Sequence, residues 1–229
     1  MQIALIDSGI GGLTLLKRLI NTCPNNDYLY FADTYLHPYG KQSPVYLRTR
    51  LLKISEMLYE KGVKCLIFAC NTASSIALED CIKSLPIPVL GVKPTCKSPK
   101  DALILCTPLT ALGSVVKGYE RQGARVYSNL CLATLVERYC DDLSVLENYI
   151  TSELSVYKGV KEVALGCTHY VFLREIIERV LETRTIDGYE PIIGRVLDLG
   201  KEEKRGKLEF IFTGPKKQGK YQEILSKLP

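Results

Sequence analysis

Cys70 in "CLIFACNTASSIALEDCI" and Cys167 in "EVALGCTHYVFLREIIE" hold the same place in the same local plan. Each follows an apolar, strand-like run and a small residue, and each precedes polar residues including threonine and then a helix-period segment. A cysteine at such a turn sits among the free N–H groups of a helix start, which stabilise an anion and favour the thiolate. Two turns of this kind, 97 residues apart, suit a small anionic substrate held between two thiols. Strand-to-helix turns are common in any α/β chain, and a cysteine is by default a small buried hydrophobe. The pairing of Cys with Thr at both turns separates these two from that default. Asn71, Thr72 and Thr168 can donate to a substrate carboxylate, and His169 is one of only two histidines in the chain.

A third turn, "DSGIGG" at residues 7–12, carries three glycines after a strand-like start. Its G-I-G-G does not match G-x-G-x-x-G, which weighs against a dinucleotide; the glycines instead let the backbone approach a smaller ligand. Asp7, at the strand end, either caps the turn in solvent or hydrogen-bonds a catalytic thiol. The segment "ADTYLHPYGKQSP" reads as a loop from its Asp, Pro, Gly and Ser content. Tyr39 and Gly40 there are placed to line a pocket mouth through a hydroxyl and a backbone N–H. His37 reads as a surface loop residue, because no other ligand is spaced along the chain to join it.

The elements that must position these residues alternate. Apolar runs at residues 3–6, 28–32, 65–69, 102–106, 162–166 and 209–213 are separated by helix-period segments. In one of them Leu47, Leu51, Ile54 and Leu58 fall on a single helical face, with Pro44 near its start and Gly62 at its end. Such alternation predicts an α/β fold of mainly parallel sheets flanked by helices, with ligands at the carboxyl ends of the strands. The chain has 229 residues, 46% hydrophobic and 24% charged, enough for two α/β domains facing each other across a cleft.

Bulk composition excludes several classes. No run approaches the ~20 apolar residues of a membrane span, and the first residues lack a signal-peptide pattern, so a cytoplasmic protein is expected. The net charge of +5 is modest, and the terminal "KEEKRGK" and "GPKKQGK" read as solvated surface rather than a nucleic-acid patch. Nine cysteines, no two of them spaced CxxC, with two histidines, fit neither a zinc finger nor a redox motif, so no metal ligand set is expected.

Together "DSGIGGL", "PYGKQS", "ACNTAS" and "GCTHY", with "IPVLGV" and the terminal "FTG", resemble the glutamate racemase family, in order and spacing over nearly the whole chain. The resemblance implies racemisation between L- and D-glutamate without a cofactor, supplying D-glutamate for peptidoglycan. It implies Cys70 and Cys167 as the acid/base pair, Cys70 acting on the D-isomer and Cys167 on the L-isomer, with Asp7 supporting Cys70 and His169 supporting Cys167. Ser8, Tyr39, Gly40, Asn71, Thr72 and Thr168 are implied to hold the substrate. It further implies pseudosymmetric domains at 1–92 plus 188–229 and at 93–187, and a homodimer. Val171 stands where the family has Pro and Gly188 where Ser is frequent, Thr110 follows the family's second-domain turn only loosely, and Glu137 matches an acidic residue near the second cysteine. Other readings of the same residues are an aspartate racemase or related two-cysteine racemase, and a non-catalytic amino-acid-binding protein on this scaffold.

Overall fold

A parallel strand covered by helices on both faces must be apolar nearly throughout, and "QIALID" is such a strand: β1, Gln2–Asp7, is buried from Ile3 onward. The computed structural model describes residues 1–200, 206–215 and 217–229. The remaining strands are β2 (Asp27–Ala32), β3 (Cys65–Phe68), β4 (Val89–Gly91), β5 (Ala102–Cys106), β6 (Arg125–Ser128), β7 (Glu162–Gly166), β8 (Thr185–Ile186) and β9 (Leu208–Phe212). They form two sheets, β4-β3-β1-β2-β9 and β6-β5-β7-β8. Every pairing is parallel.

The two sheets repeat one topology. In the first, β2 lies on one side of β1 and β3 on the other; in the second, β6 lies on one side of β5 and β7 on the other. The chain therefore reverses direction between β1 and β3 and again between β5 and β7, and crevices open at the carboxyl ends of such strand pairs. Cys70 follows β3 and Cys167 follows β7, the equivalent third strand of each sheet. The likeness between their two stretches is thus a likeness of position in the fold. β9 adds to the outer edge of the first sheet, registering Phe210 against Tyr30.

The helices are α1 (Leu13–Thr22), α2 (Pro44–Glu60), α3 (Asn71–Ser84), α4 (Pro108–Ala111), α5 (Ser114–Arg121), α6 (Leu132–Tyr139), α7 (Glu147–Leu154), α8 (Arg174–Leu181), α9 (Glu190–Asp198) and α10 (Gln218–Lys227). In α2 the proline stands in the first turn, where no N–H is needed, and Leu47, Leu51, Ile54 and Leu58 are buried as the periodicity requires. The helical segment between β5 and β6 is split in two, because Gly113 interrupts it as the N-cap of α5. After Cys167 the chain winds first as a tight 3-10 segment, Thr168–Leu173, and only then as α8.

The two sheets are joined where the chain runs from β4 to β5 and returns from β8 to α9. At this crossing a Cβ on Gly188 would lie 2.0 Å from the Lys93 carbonyl oxygen. Serine does not fit that contact, which accounts for glycine here. Val171 is half-buried on the wall of a cavity of about 560 Å³ shared with Thr14, Phe172, Arg174 and Tyr189, where a branched chain is accommodated. No helix among the described residues is long and apolar enough to cross a membrane. Most of "KEEKRGK" and one lysine of "GPKKQGK" lie outside the described residues.

Candidate active site

Both cysteines are the N-caps of the helical segments that follow them, Cys70 ahead of α3 and Cys167 ahead of the 3-10 turn. They are 7% and 5% exposed, and Cys167 is close enough for its charge to bear on Cys70. None of the nine cysteines forms a disulfide, and six of them are buried. What distinguishes this pair is its surroundings.

Burial, followed by the charge of Asp7, holds the Cys70 thiol well above the ordinary thiol range, while the N–H groups of Ala73 and Thr72 at the helix start pull the other way. Cys70 therefore carries its proton at neutral pH. Asp7 is fully buried at the end of β1. One carboxylate oxygen accepts the Gly9 N–H at 2.9 Å and the other accepts the Thr168 hydroxyl at 3.2 Å, so Asp7 ties the first sheet to the Cys167 turn. Its influence on Cys70 is one of charge.

Burial raises the Asp7 carboxyl to about 6, against the opposing charge of His169 and the Gly9 hydrogen bond. The folded state thus binds this proton more tightly than the unfolded chain does. The associated stability is complete below the ordinary value of 3.8 and is lost as pH rises through about 6. We expect the stability advantage of wild type over Asp7→Asn to shrink by about 3 kcal/mol from acid pH to neutrality, measured by urea unfolding across that range. Parallel pH profiles for the two proteins would contradict it.

On the other side of the cleft, His169 Nδ1 lies 4.0 Å from Cys167 Sγ and its Nε2 lies 3.1 Å from Glu137 Oε1. Burial opposes charge on His169, but its contacts with Cys167 and Glu137 outweigh burial and raise its pKa well above the usual value. Glu137, from α6, is itself half-buried, at a cost to its charge. The hydrogen bond and charge of His169, the charge of His37 and the Ile10 N–H, donated at 2.6 Å, overcome that cost and lower it to about 2. The result is an imidazolium between a sulfur and a carboxylate.

The glycines of the first turn allow this approach. A Cβ on Gly11 would lie 2.3 Å from the Thr168 hydroxyl and 2.7 Å from His169 Nδ1, and one on Gly9 would lie 1.9 Å from Glu137 Oε1. The halves meet backbone to side chain, and only glycine leaves room.

The polar wall combines both halves. Thr72 Oγ1 lies 2.9 Å from Thr107 Oγ1 and 3.2 Å from Thr110 Oγ1, and the last two are 3.0 Å apart. Asn71 Oδ1 is buried with no partner among the described residues, a free acceptor beside Cys70. Gly40 packs on Thr107. Ser8 Oγ is 3.4 Å from His37 Nδ1.

Two expectations need correction. Tyr39 is buried, but its hydroxyl donates to Asp33 Oδ2 at 3.0 Å instead of facing a pocket mouth. His37 is not a surface residue: its ring lies 5.2 Å from that of His169, and Glu137 is 3.9 Å from its Nδ1. Residues remote in sequence supply the neighbours that local spacing could not.

Asp33 anchors the loop that carries Tyr39 and Gly40. It is fully buried and takes two 2.6 Å bonds from Arg50 and one of 2.6 Å from the Thr213 hydroxyl. Arg50→Met leaves this carboxylate buried without its counter-charge. We expect a loss of about 3 kcal/mol, read by urea unfolding, and a change within about 0.5 kcal/mol would contradict the anchoring role.

Sequence reasoning overlooked Thr107 and gave Glu137 no contact. Thr107 follows the strand that borders the second switch point, which was the available signal; Glu137 lies within an ordinary amphipathic helix, and only the family resemblance pointed to it.

Two parallel sheets of one topology, with a thiol turn at the switch point of each, are an arrangement shared with solved amino acid racemases. No family model matches the chain. It is 31% identical to the glutamate racemase of Halothermothrix orenii over an alignment of 258 positions that covers all of both chains. To that of Aquifex aeolicus it is 35% identical, with 93% of this chain and 89% of the relative covered. The crystal structure of glutamate racemase from Francisella tularensis in complex with D-glutamate superposes with a TM-score of 0.81 at 25% identity, covering 99% of this chain and 94% of that one. The chain belongs to the glutamate racemase family.

Proposed function

We propose that the protein interconverts L- and D-glutamate by two-base proton transfer, Cys70 working on the D-isomer and Cys167 on the L-isomer. One observation carries the reading: two buried thiols stand at equivalent turns of two equivalent sheets, Cys167 near enough for its charge to bear on Cys70. Membership of the glutamate racemase family supports it.

An amino acid α-proton is a poor acid, so its removal needs a base in contact and donors already aimed at the developing charge. From L-glutamate, the Cys167 thiolate takes the α-proton and the Cys70 thiol delivers its own to the opposite face. The product is D-glutamate, with Cys167 now the thiol and Cys70 the thiolate. The His169 imidazolium stabilises negative charge at Cys167, and Glu137 orients the ring. Asp7 acts on Cys70 through its charge, which favours the protonated thiol. Ser8, Gly40, Asn71, Thr72 and Thr168, together with Thr107 and Thr110, hold the substrate; Tyr39 contributes by fixing the loop beneath Gly40.

With both thiols nearly sealed, substrate enters when the halves part about the crossing at Lys93 and Gly188. We assign the moving bodies to residues 1–92 with 188–229 and to residues 93–187. Closure then expels water, which strengthens every interaction with the carbanion-like state. The same reading implies a cytoplasmic homodimer supplying D-glutamate for peptidoglycan.

Following circular dichroism of purified protein with D-glutamate, D-aspartate or no substrate tests the assignment. Loss of signal with glutamate at a far greater rate than with aspartate is expected. Equal or greater turnover of aspartate, or binding of glutamate without loss of optical activity, would overturn it.

A further inference from the structure

His37, Glu137 and His169 come from three separate segments, yet their ligand atoms all lie within 4.8 Å of one another. Glu137 Oε1 is 3.1 Å from His169 Nε2 and 3.9 Å from His37 Nδ1. Three donors bound to one zinc ion at about 2.0–2.2 Å each stand about 3.4 Å apart, so side-chain turns of about an ångström close the set. Two imidazoles and one carboxylate with an open fourth position are a donor set of exchangeable zinc sites.

The place is accessible. A cavity of about 370 Å³ lined by Ser8, His37, Thr134, Glu137, Arg138 and Lys217 adjoins it. That space admits an ion and a fourth ligand, and Arg138 and Lys217 favour an anion or water there. His37 has a nitrogen to spare: its Nε2 is buried with no hydrogen-bond partner among the described residues, and its Nδ1 has a 3.4 Å contact to Ser8.

We infer that His37, Glu137 and His169 form a seat for a divalent transition-metal ion, which switches off the Cys167 half of the site. Metal on His169 Nε2 displaces the contact to Glu137 and holds the ring that stands 4.0 Å from Cys167 Sγ, so the ring can no longer adjust to that thiol. Binding stands independently of the proposed reaction; the inhibition rests on that reading.

The test uses Zn2+ on the intact protein and reads the ring nitrogens by NMR. The chain has two histidines, so the spectrum contains two imidazoles. One equivalent of Zn2+ is expected to shift both, and His37→Ala and His37→Gln should weaken binding by more than about 100-fold, beyond the loss of an outer-shell partner. Inhibition of racemisation, taken relative to each protein's own metal-free rate, should weaken by the same factor. Imidazole signals unmoved at one equivalent, or unchanged affinity in both His37 variants, would overturn the seat by locating the metal on cysteines. Shifted imidazoles with full activity would overturn the switch. A protein that binds Zn2+ at both rings but never racemises glutamate would instead refute the proposed reaction and leave the seat standing.

Discussion

Cys70→Ala and Cys167→Ala each lower glutamate racemisation by about 10²–10⁴-fold, the contribution of a positioned acid or base. The loss in kcat/KM is the same in both directions for each variant. Enantiomers are equal in free energy, so the ratio of forward to reverse kcat/KM is fixed and no substitution can change it. Each thiol also serves both directions, as base in one and acid in the other. An equimolar mixture of the two variants stays inactive, because Thr168 and Asp7 join the two halves of the site within one chain. The measurement is initial velocity from both enantiomers by circular dichroism. Racemisation undiminished in either variant would eliminate that thiol from the reaction. Recovery on mixing would mean that the two thiols come from different copies.

His169→Asn carries the second large effect. Removing the imidazolium takes positive charge from beside Cys167 and leaves the half-buried Glu137 with the Ile10 N–H but without its main counter-charge. We expect kcat/KM to fall about 100-fold, near the lower end for loss of a proton-transfer group, again equally in both directions. The asymmetry appears in isotope effects. Proton transfer at Cys167 becomes the higher barrier, so the primary deuterium effect grows for α-deuterated L-glutamate and shrinks for the D-isomer. A merely structural histidine would lower activity without separating the two isotope effects. Equal isotope effects from both enantiomers in the variant would remove His169 from the Cys167 side of the reaction.

How far the sequence led can be judged residue by residue. Strand-helix alternation was enough to predict the parallel sheets, because strands buried on both faces are apolar throughout. The echo between the two cysteine turns was enough to suggest paired halves, and the sheets place the turns after equivalent strands. Contacts across the cleft were not legible. His37 stands 132 positions before His169 and 100 before Glu137, and no local spacing reports such a meeting. Glu137 lies in "LATLVERY", where a glutamate on an amphipathic helix normally faces water. It turns inward here because the Ile10 N–H and His169 both meet its carboxylate. Tyr39 was recognised as part of the loop, but the destination of its hydroxyl depends on Asp33, whose burial and pairing with Arg50 arise only in the folded chain.

The central claim is that two bases act on opposite faces of one carbon, and the first turnovers in D2O test it most directly. D-glutamate is incubated with wild-type protein and sampled by NMR long before equilibrium. The account predicts L-glutamate carrying solvent deuterium at the α-carbon, while the unconverted D-glutamate keeps its original hydrogen, because Cys70 takes that hydrogen and Cys167 supplies the deuterium. Deuterium appearing at equal rates in product and unconverted substrate would point to one base serving both faces and would contradict the account.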